Sequence, residues 1–181
     1  AGALALGLTS LVAMEASAVP GGFGNIDRDA VGSIIINKHE HQGPGSTPGK
    51  PDGSAPVASP GIEDVEFSVW LLDDIDVLEP SDWDGLAAMK PGACTLPGGA
   101  AIDGYTGGLT LVDTLRTDED GQVPFPDLAL GAYLVCETDA PSNVVDRALP
   151  FIVTVPTPID NGWVYDVNVY PKNTTLDAPT K

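Results

Sequence analysis

Alternation of apolar and polar residues is the dominant signal along this chain. It recurs in GSIIINKHE from Gly32, IEDVEFSVWLL from Ile62, GLTLVDTLRT from Gly108, GAYLVCET from Gly131, LPFIVTVP from Leu149 and GWVYDVNVY from Gly162. A period of two over such short runs predicts strands, and the intervening DEDG, DAPSNVV and TPIDNG segments carry the residues that turns require. Two inserts break the rhythm. HQGPGSTPGKPDGSAPVASPG, from His41 to Gly61, has no apolar period and reads as a long exposed loop. SDWDGLAAMK places an acid three residues after Ser81 ahead of a short apolar face, predicting a short helix capped at Ser81. About seven strands with irregular inserts predict an all-β, immunoglobulin-like sandwich.

Composition agrees with one such domain plus appendages: 181 residues and 18.6 kDa, 43% hydrophobic, with 21 Gly and 17 Pro to supply turns. A formal charge of -18 makes recruitment by nucleic acid or an anionic membrane surface unfavourable. The opening AGALALGLTSLVAMEASAVP couples an apolar run to Ala-Ser-Ala before Val19, as a secretory signal does at its cleavage site. With no charged region ahead of it, the chain reads as starting inside the precursor. The expected organisation is a signal remnant over 1–18, a polar tail over 19–30, the domain over 31–173, and a linker over 174–181 toward a further domain. Export favours one disulfide between Cys94 and Cys136 over two free thiols or half a metal site.

Strand parity selects candidate chemistry. Ile34, Ile36 and Lys38 share one face, as do Tyr133, Val135 and Glu137. In the last strand Trp163, Tyr165, Val167 and Val169 share a face, and Asn173 keeps that parity if the strand runs through Pro171. Lys38, Glu137 and Asn173 are therefore expected to point inward, and Lys172 outward. Removing an amine and a carboxyl group from water disfavours their charged forms. A neutral amine can attack a carboxamide carbon while a protonated carboxyl shuttles the proton, releasing ammonia and leaving a Lys–Asn amide. The same trio is also compatible with a buried Lys38–Glu137 ion pair and no covalent bond, or with three groups that snorkel out at strand ends.

The run WVYDVNVYPK resembles the pilin motif W-x-x-x-V-x-V-Y-P-K of the sortase-assembled SpaA-type major pilins of Gram-positive bacteria, matched by Trp163, Val167, Val169, Tyr170, Pro171 and Lys172. TDEDGQVPFPDLALGAYLVCETDAP is similar to the CnaB-type sandwich signature, in which a turn and an aromatic strand lead into Y-x-x-x-E and Ala-Pro. The resemblance implies a structural, non-enzymatic subunit of a cell-wall-anchored pilus. In it a class C sortase joins the threonine of an LPxTG-type signal on one pilin to the motif lysine of the next, here Lys172. The implied partners are further copies of the same pilin, the sortase, and ancillary tip and basal pilins; no cofactor is implied. The resemblance also implies an internal isopeptide bond between Lys38 and Asn173, with Glu137 as proton shuttle. Outward parity at Cys136 would tie the insert around residue 90 onto the flank of the sandwich. The 41–61 loop is expected to cover or order the lysine.

Competing signals are weaker. His39 and His41 in HEH lack a further histidine to complete a metal site, DEDG lacks the spaced glutamate of a calcium loop and reads as a turn, and NTT at Asn173 is a formal glycosylation sequon. The alternative function is a secreted immunoglobulin-like adhesin module that binds a host protein or glycan without polymerising.

Overall fold

The computed structural model describes residues 25–40, 47–95, 98–142, 144, 147–160 and 162–171. The predicted signal remnant, residues 19–24 of the tail, His41, the linker, Lys172 and Asn173 lie outside these. Strands β1 (Gly32–Asn37), β2 (Glu66–Leu72), β3 (Lys90–Cys94), β4 (Ala100–Asp103), β5 (Leu109–Arg116), β6 (Gln122–Leu128), β7 (Gly131–Asp139), β8 (Phe151–Val155), β9 (Thr157–Ile159), β10 (Gly162–Val164) and β11 (Asp166–Val169) are joined by one helix, α1 (Pro80–Ala88).

Two sheets form the predicted sandwich, one ordered β11-β1-β6 and the other β5-β2-β7-β8. Their facing side chains make one core: Ile34, Ile36, Phe125 and Val167 from the first pack with Phe67, Val69, Tyr133 and Val135 from the second. For Ile34, Ile36, Tyr133, Val135 and Val167 this is the inward parity read from the alternation. The count of seven strands holds for the two sheets. Four more, β3, β4, β9 and β10, are runs of three to five residues that form two separate hairpins: β3 and β4 lie in the insert, β9 lies in the segment read as a turn, and β10 is the first part of the last predicted strand.

The outer face of β7 is buried as well. Ala132, Leu134 and Cys136 join Trp70, Leu72, Ala100 and Ile102 in a second apolar cluster, covered by the insert that carries α1, β3 and β4. The Cys94–Cys136 disulfide fastens that insert to the sheet, with Cα atoms 5.9 Å apart. The helix differs from expectation in its start. Pro80 takes the first turn and Glu79 is the N-cap, with no side-chain capping bond. A proline's fixed φ and missing N–H suit that first position, so Ser81 falls inside the helix instead of before it.

The last predicted strand is also divided. A bend at Tyr165 separates β10, which pairs antiparallel with β9, from β11, which pairs parallel with β1. One straight strand cannot serve both partners. The bend breaks the parity: Val164 packs on the core with Val167 and Val169, whereas Trp163 and Tyr165 turn toward Asn25 and Asp27. At the bend the Tyr165 carbonyl accepts the Ser33 N–H at 2.9 Å. Only a glycine fits at position 32, where a Cβ would collide with that carbonyl.

Tyr133 gives a pH test of the core. Its hydroxyl donates to the Ala129 carbonyl at 2.6 Å, and burial pushes its pKa up to about 12 from 10.0. The folded state thus holds this proton where the unfolded chain has released it, so the stabilisation is complete below pH 10 and is lost as pH rises toward 12. Denaturant titrations over that range should show stability falling by about 1.4 kcal/mol per pH unit from this group, and Tyr133→Phe should remove that component.

Candidate functional site

Lys38 directly follows β1 and is held by its backbone on both sides. Its N–H donates to the Gly121 carbonyl at 2.8 Å, and its carbonyl accepts from Ile62 N–H at 2.9 Å. The side chain runs inward, and Nζ donates to Glu137 Oε2 at 2.6 Å, with both side chains 0% exposed. Oε2 also accepts the Ala148 N–H at 2.9 Å. Oε1 is buried and accepts no hydrogen bond among the described residues. Lys38 and Glu137 thus point inward, the direction that parity assigns them. An amine and a carboxylate shut away from water at this distance attract strongly, but each carries a desolvation cost of several kcal/mol, and among the described residues nothing offsets that cost at the second carboxylate oxygen.

The described residues of the motif divide into three roles. Trp163 sits beside Trp83 of α1, ring centroids 5.6 Å apart, and donates from Nε1 to Asn25 Oδ1 at 2.9 Å. Val167 is 1% exposed and Val169 packs beside it on the core. Tyr170 and Pro171 close the segment: Pro171 is buried, and the half-buried Tyr170 ring lies against Gly49, where any Cβ would overlap it.

Gly49 belongs to the long loop, whose stretch from Gly49 to Gly53 lies against Tyr170 and Asn168 of the motif strand. The Asn168 N–H donates to the Pro51 carbonyl at 2.8 Å, fixing the loop to the outer edge of β11. Behind this contact Asn37 Nδ2 donates to Asn168 Oδ1 at 3.1 Å, and Gln122 Nε2 donates to Asn37 Oδ1 at 2.9 Å. Sequence reasoning missed this amide relay; its one visible trace was a polar Asn168 between two valines. On the loop, Asp52 Oδ1 accepts from Ser54 Oγ and N–H, which holds its carboxyl below the usual range. Burial, with the Asp52 charge second, raises the Tyr170 hydroxyl above its ordinary value.

His39 Nδ1 donates to the Ser59 carbonyl at 2.6 Å, pinning the far end of the same loop. Asp118, Glu119, Asp120 and Gly121 make the predicted turn, closed by Gly121 N–H to the Asp118 carbonyl at 2.9 Å. Among the described residues no group of three or more His, Cys, Asp or Glu could hold a metal ion.

Residues 30–174 match the family described as Gram-positive pilin subunit D1, N-terminal domain. The chain belongs to this family. Fimbrial subunit type 2 of Actinomyces naeslundii is 36% identical over 98% of this chain and 35% of its own length. The solved fimbrial protein FimP of Actinomyces oris superposes with a TM-score of 0.61 at 28% identity, covering 86% of this chain and 32% of that one. A solution structure of the Corynebacterium diphtheriae SpaA pilin in complex with a signal peptide superposes with a TM-score of 0.62 at 26% identity, covering 82% of this chain and all of that one. The chain spans about a third of the length of the curated relatives it matches.

Within this pilin domain Glu137→Ala would leave the Lys38 amine without its carboxylate. Removing one partner of such a pair costs about 3–5 kcal/mol, and urea unfolding of the variant should show a loss of that size.

Proposed function

We propose that this domain is part of the shaft subunit of a covalent cell-surface pilus and that Lys172 is its acceptor amine. In this reading a class C sortase carries the threonine of one subunit's sorting signal to Lys172 of the next. The Lys172 Nζ displaces the enzyme from the threonine carbonyl, forming an amide and losing a proton. The observation that carries the reading is the anchored end of the pilin motif: Pro171 is buried and Tyr170 packs against Gly49, so the residue after them leaves a fixed point. Holding a nucleophile in place lowers the entropic cost of the encounter with an acyl-enzyme. The loop from Gly49 to Gly53, bonded to β11 through Pro51, orders that exit.

Incubating the full-length pilin with its sortase and mapping the cross-linked peptides tests this directly. Lys172 should carry the linkage, and Lys172→Ala should leave monomers. Gly49→Val, which drives a side chain into Tyr170, should slow polymerisation; an unchanged rate would remove the loop from the reading.

We also propose an internal amide between Lys38 and Asn173. The Lys38 Nζ attacks the Asn173 carboxamide carbon, the C–N bond to the amide nitrogen breaks, and ammonia leaves, with Glu137 moving the proton. Support comes from the buried contact between Lys38 and Glu137 and from the second Glu137 oxygen that accepts no hydrogen bond among the described residues. The intact mass of the purified domain should fall one ammonia below the sequence mass, and Lys38→Ala should restore the full value expected for its own sequence.

A further inference from the structure

Past Val135 the ladder between β7 and β8 stops, and charged side chains take over. The two strands pair antiparallel from Gly131 opposite Val155 to Val135 opposite Phe151. Pro150 has no N–H to offer the next rung. Carried onward, the same register would set Thr138 opposite Ala148 and Asp139 opposite Arg147. Side chains supply the missing bonds there. Arg147 Nη1 donates to the Thr138 carbonyl at 2.8 Å, and its Nη2 lies 3.6 Å from Asp139 Oδ1. Ala148, next along the chain, donates its N–H to Glu137 Oε2 at 2.9 Å.

Asp139 is itself held. Its Oδ2 accepts from Arg116 Nη2 at 2.7 Å, and the Arg116 bond above all keeps its carboxyl below the ordinary value. Arg116 also donates to Glu66 Oε2 at 3.0 Å, and Thr138 Oγ1 donates to Glu66 Oε1 at 2.8 Å. Arg147 is therefore fastened to a network that spans β2, β5 and β7. The Arg147–Asp139 pair adds little stability, since the two side chains are 56% and 50% exposed and solvated ion pairs are weak. What the network fixes is position. The Ala148 amide is buried and reaches a carboxylate that is fully buried too. A displacement of about 0.7 Å would stretch that bond to about 3.6 Å, where it no longer exists.

We propose that Arg147 is a positioning residue for Glu137, holding the Ala148 N–H on Oε2 and so fixing the orientation in which the carboxyl group meets the Lys38 amine. This role rests on the reading of an internal amide between Lys38 and Asn173. In that reaction a proton leaves Lys38 Nζ, passes through the Glu137 carboxyl and departs with the ammonia. The carboxyl must therefore face the amine in one orientation. With Oε2 shared by Ala148 and Lys38, the group is kept from turning about its last bond, and Oε1 keeps a constant place. Without the Ala148 bond, Lys38 Nζ is the one donor left on this carboxyl among the described residues. A misplaced proton-transfer group costs rate before it costs stability.

Intact mass followed after a pulse of cell-free synthesis of the 181-residue chain times the reaction through the loss of one ammonia. Arg147→Met should slow it by about 10- to 100-fold. Arg147→Lys, which keeps a donor for the Thr138 carbonyl, should restore most of the rate. Hydrogen exchange on the same variants should show the Ala148 amide losing protection in Arg147→Met while the β7 amides bonded to β2 and β8 keep theirs; a merely structural arginine would loosen all of them together. A wild-type rate in Arg147→Met, or an Ala148 amide as protected as before, overturns the positioning role and leaves the internal amide standing. No ammonia loss from the wild-type chain overturns the internal amide and this role with it.

Discussion

The parallel pairing of the first strand with the last organises this domain. Ser33 lies opposite Asp166 and the register runs without a slip to Ile36 opposite Val169. Because the strands run the same way, the residues leaving β1 and those leaving β11 emerge at one pole, and the residues entering the two strands lie at the other. The first pole holds Lys38, with Glu137 brought beneath it by β7, and the Tyr170–Pro171 end of the motif. The second holds Asn25, Asp27, Trp163 and Tyr165. Parallel pairing needs a crossover, and here nearly the whole domain is that crossover. β11 is left at a sheet edge, where open N–H groups invite unwanted pairing. The long loop resolves this by bonding Pro51 to Asn168 and packing Gly49 on Tyr170, so the same contact covers part of the edge and the end of the described motif.

Sequence alternation was informative wherever one face of a strand meets the core and the strand has one continuous partner. Ile34, Ile36 and Lys38, and Tyr133, Val135 and Glu137, met both conditions, so two buried polar groups could be named from the pattern alone. Alternation failed in two physically distinct ways. In β7 the outward residues Ala132, Leu134 and Cys136 are buried by an insert far away in sequence, and parity carries no information about what covers a face. At Tyr165 the pattern continues unbroken through a bend, because Trp163 and Tyr165 bury themselves against the N-terminal segment while Val167 enters the core. Both environments favour large apolar side chains, so composition cannot separate them. The helix start was missed by two residues because a capping serine and an N1 proline compete for neighbouring positions, and the covalently fixed φ of proline prevailed. The Asn37–Asn168–Gln122 relay was invisible for a different reason: it joins three strands whose register no local pattern specifies.

The Lys38–Glu137 pair is a poor device for stability alone. Two charges withdrawn from water recover their desolvation cost only with good geometry and full hydrogen bonding, and apolar residues of the same size would often serve better. The first condition is met at 2.6 Å, and Oε2 has a second donor in Ala148. The second is not, since Oε1 accepts no bond among the described residues. A half-satisfied buried carboxylate is what a proton shuttle requires, because an oxygen already committed to donors has no capacity to take up and return a proton. Under the proposed internal amide, Oε1 is the oxygen left to take up and return the proton. The proposed acceptor also limits what an internal bond could do mechanically: tension applied at Lys172 would pass to the chain beyond residue 173 without crossing the sandwich. Under that reading the value of joining Lys38 to Asn173 lies in fixing the last residues beside the end of β1, which narrows the positions open to the amine that precedes them.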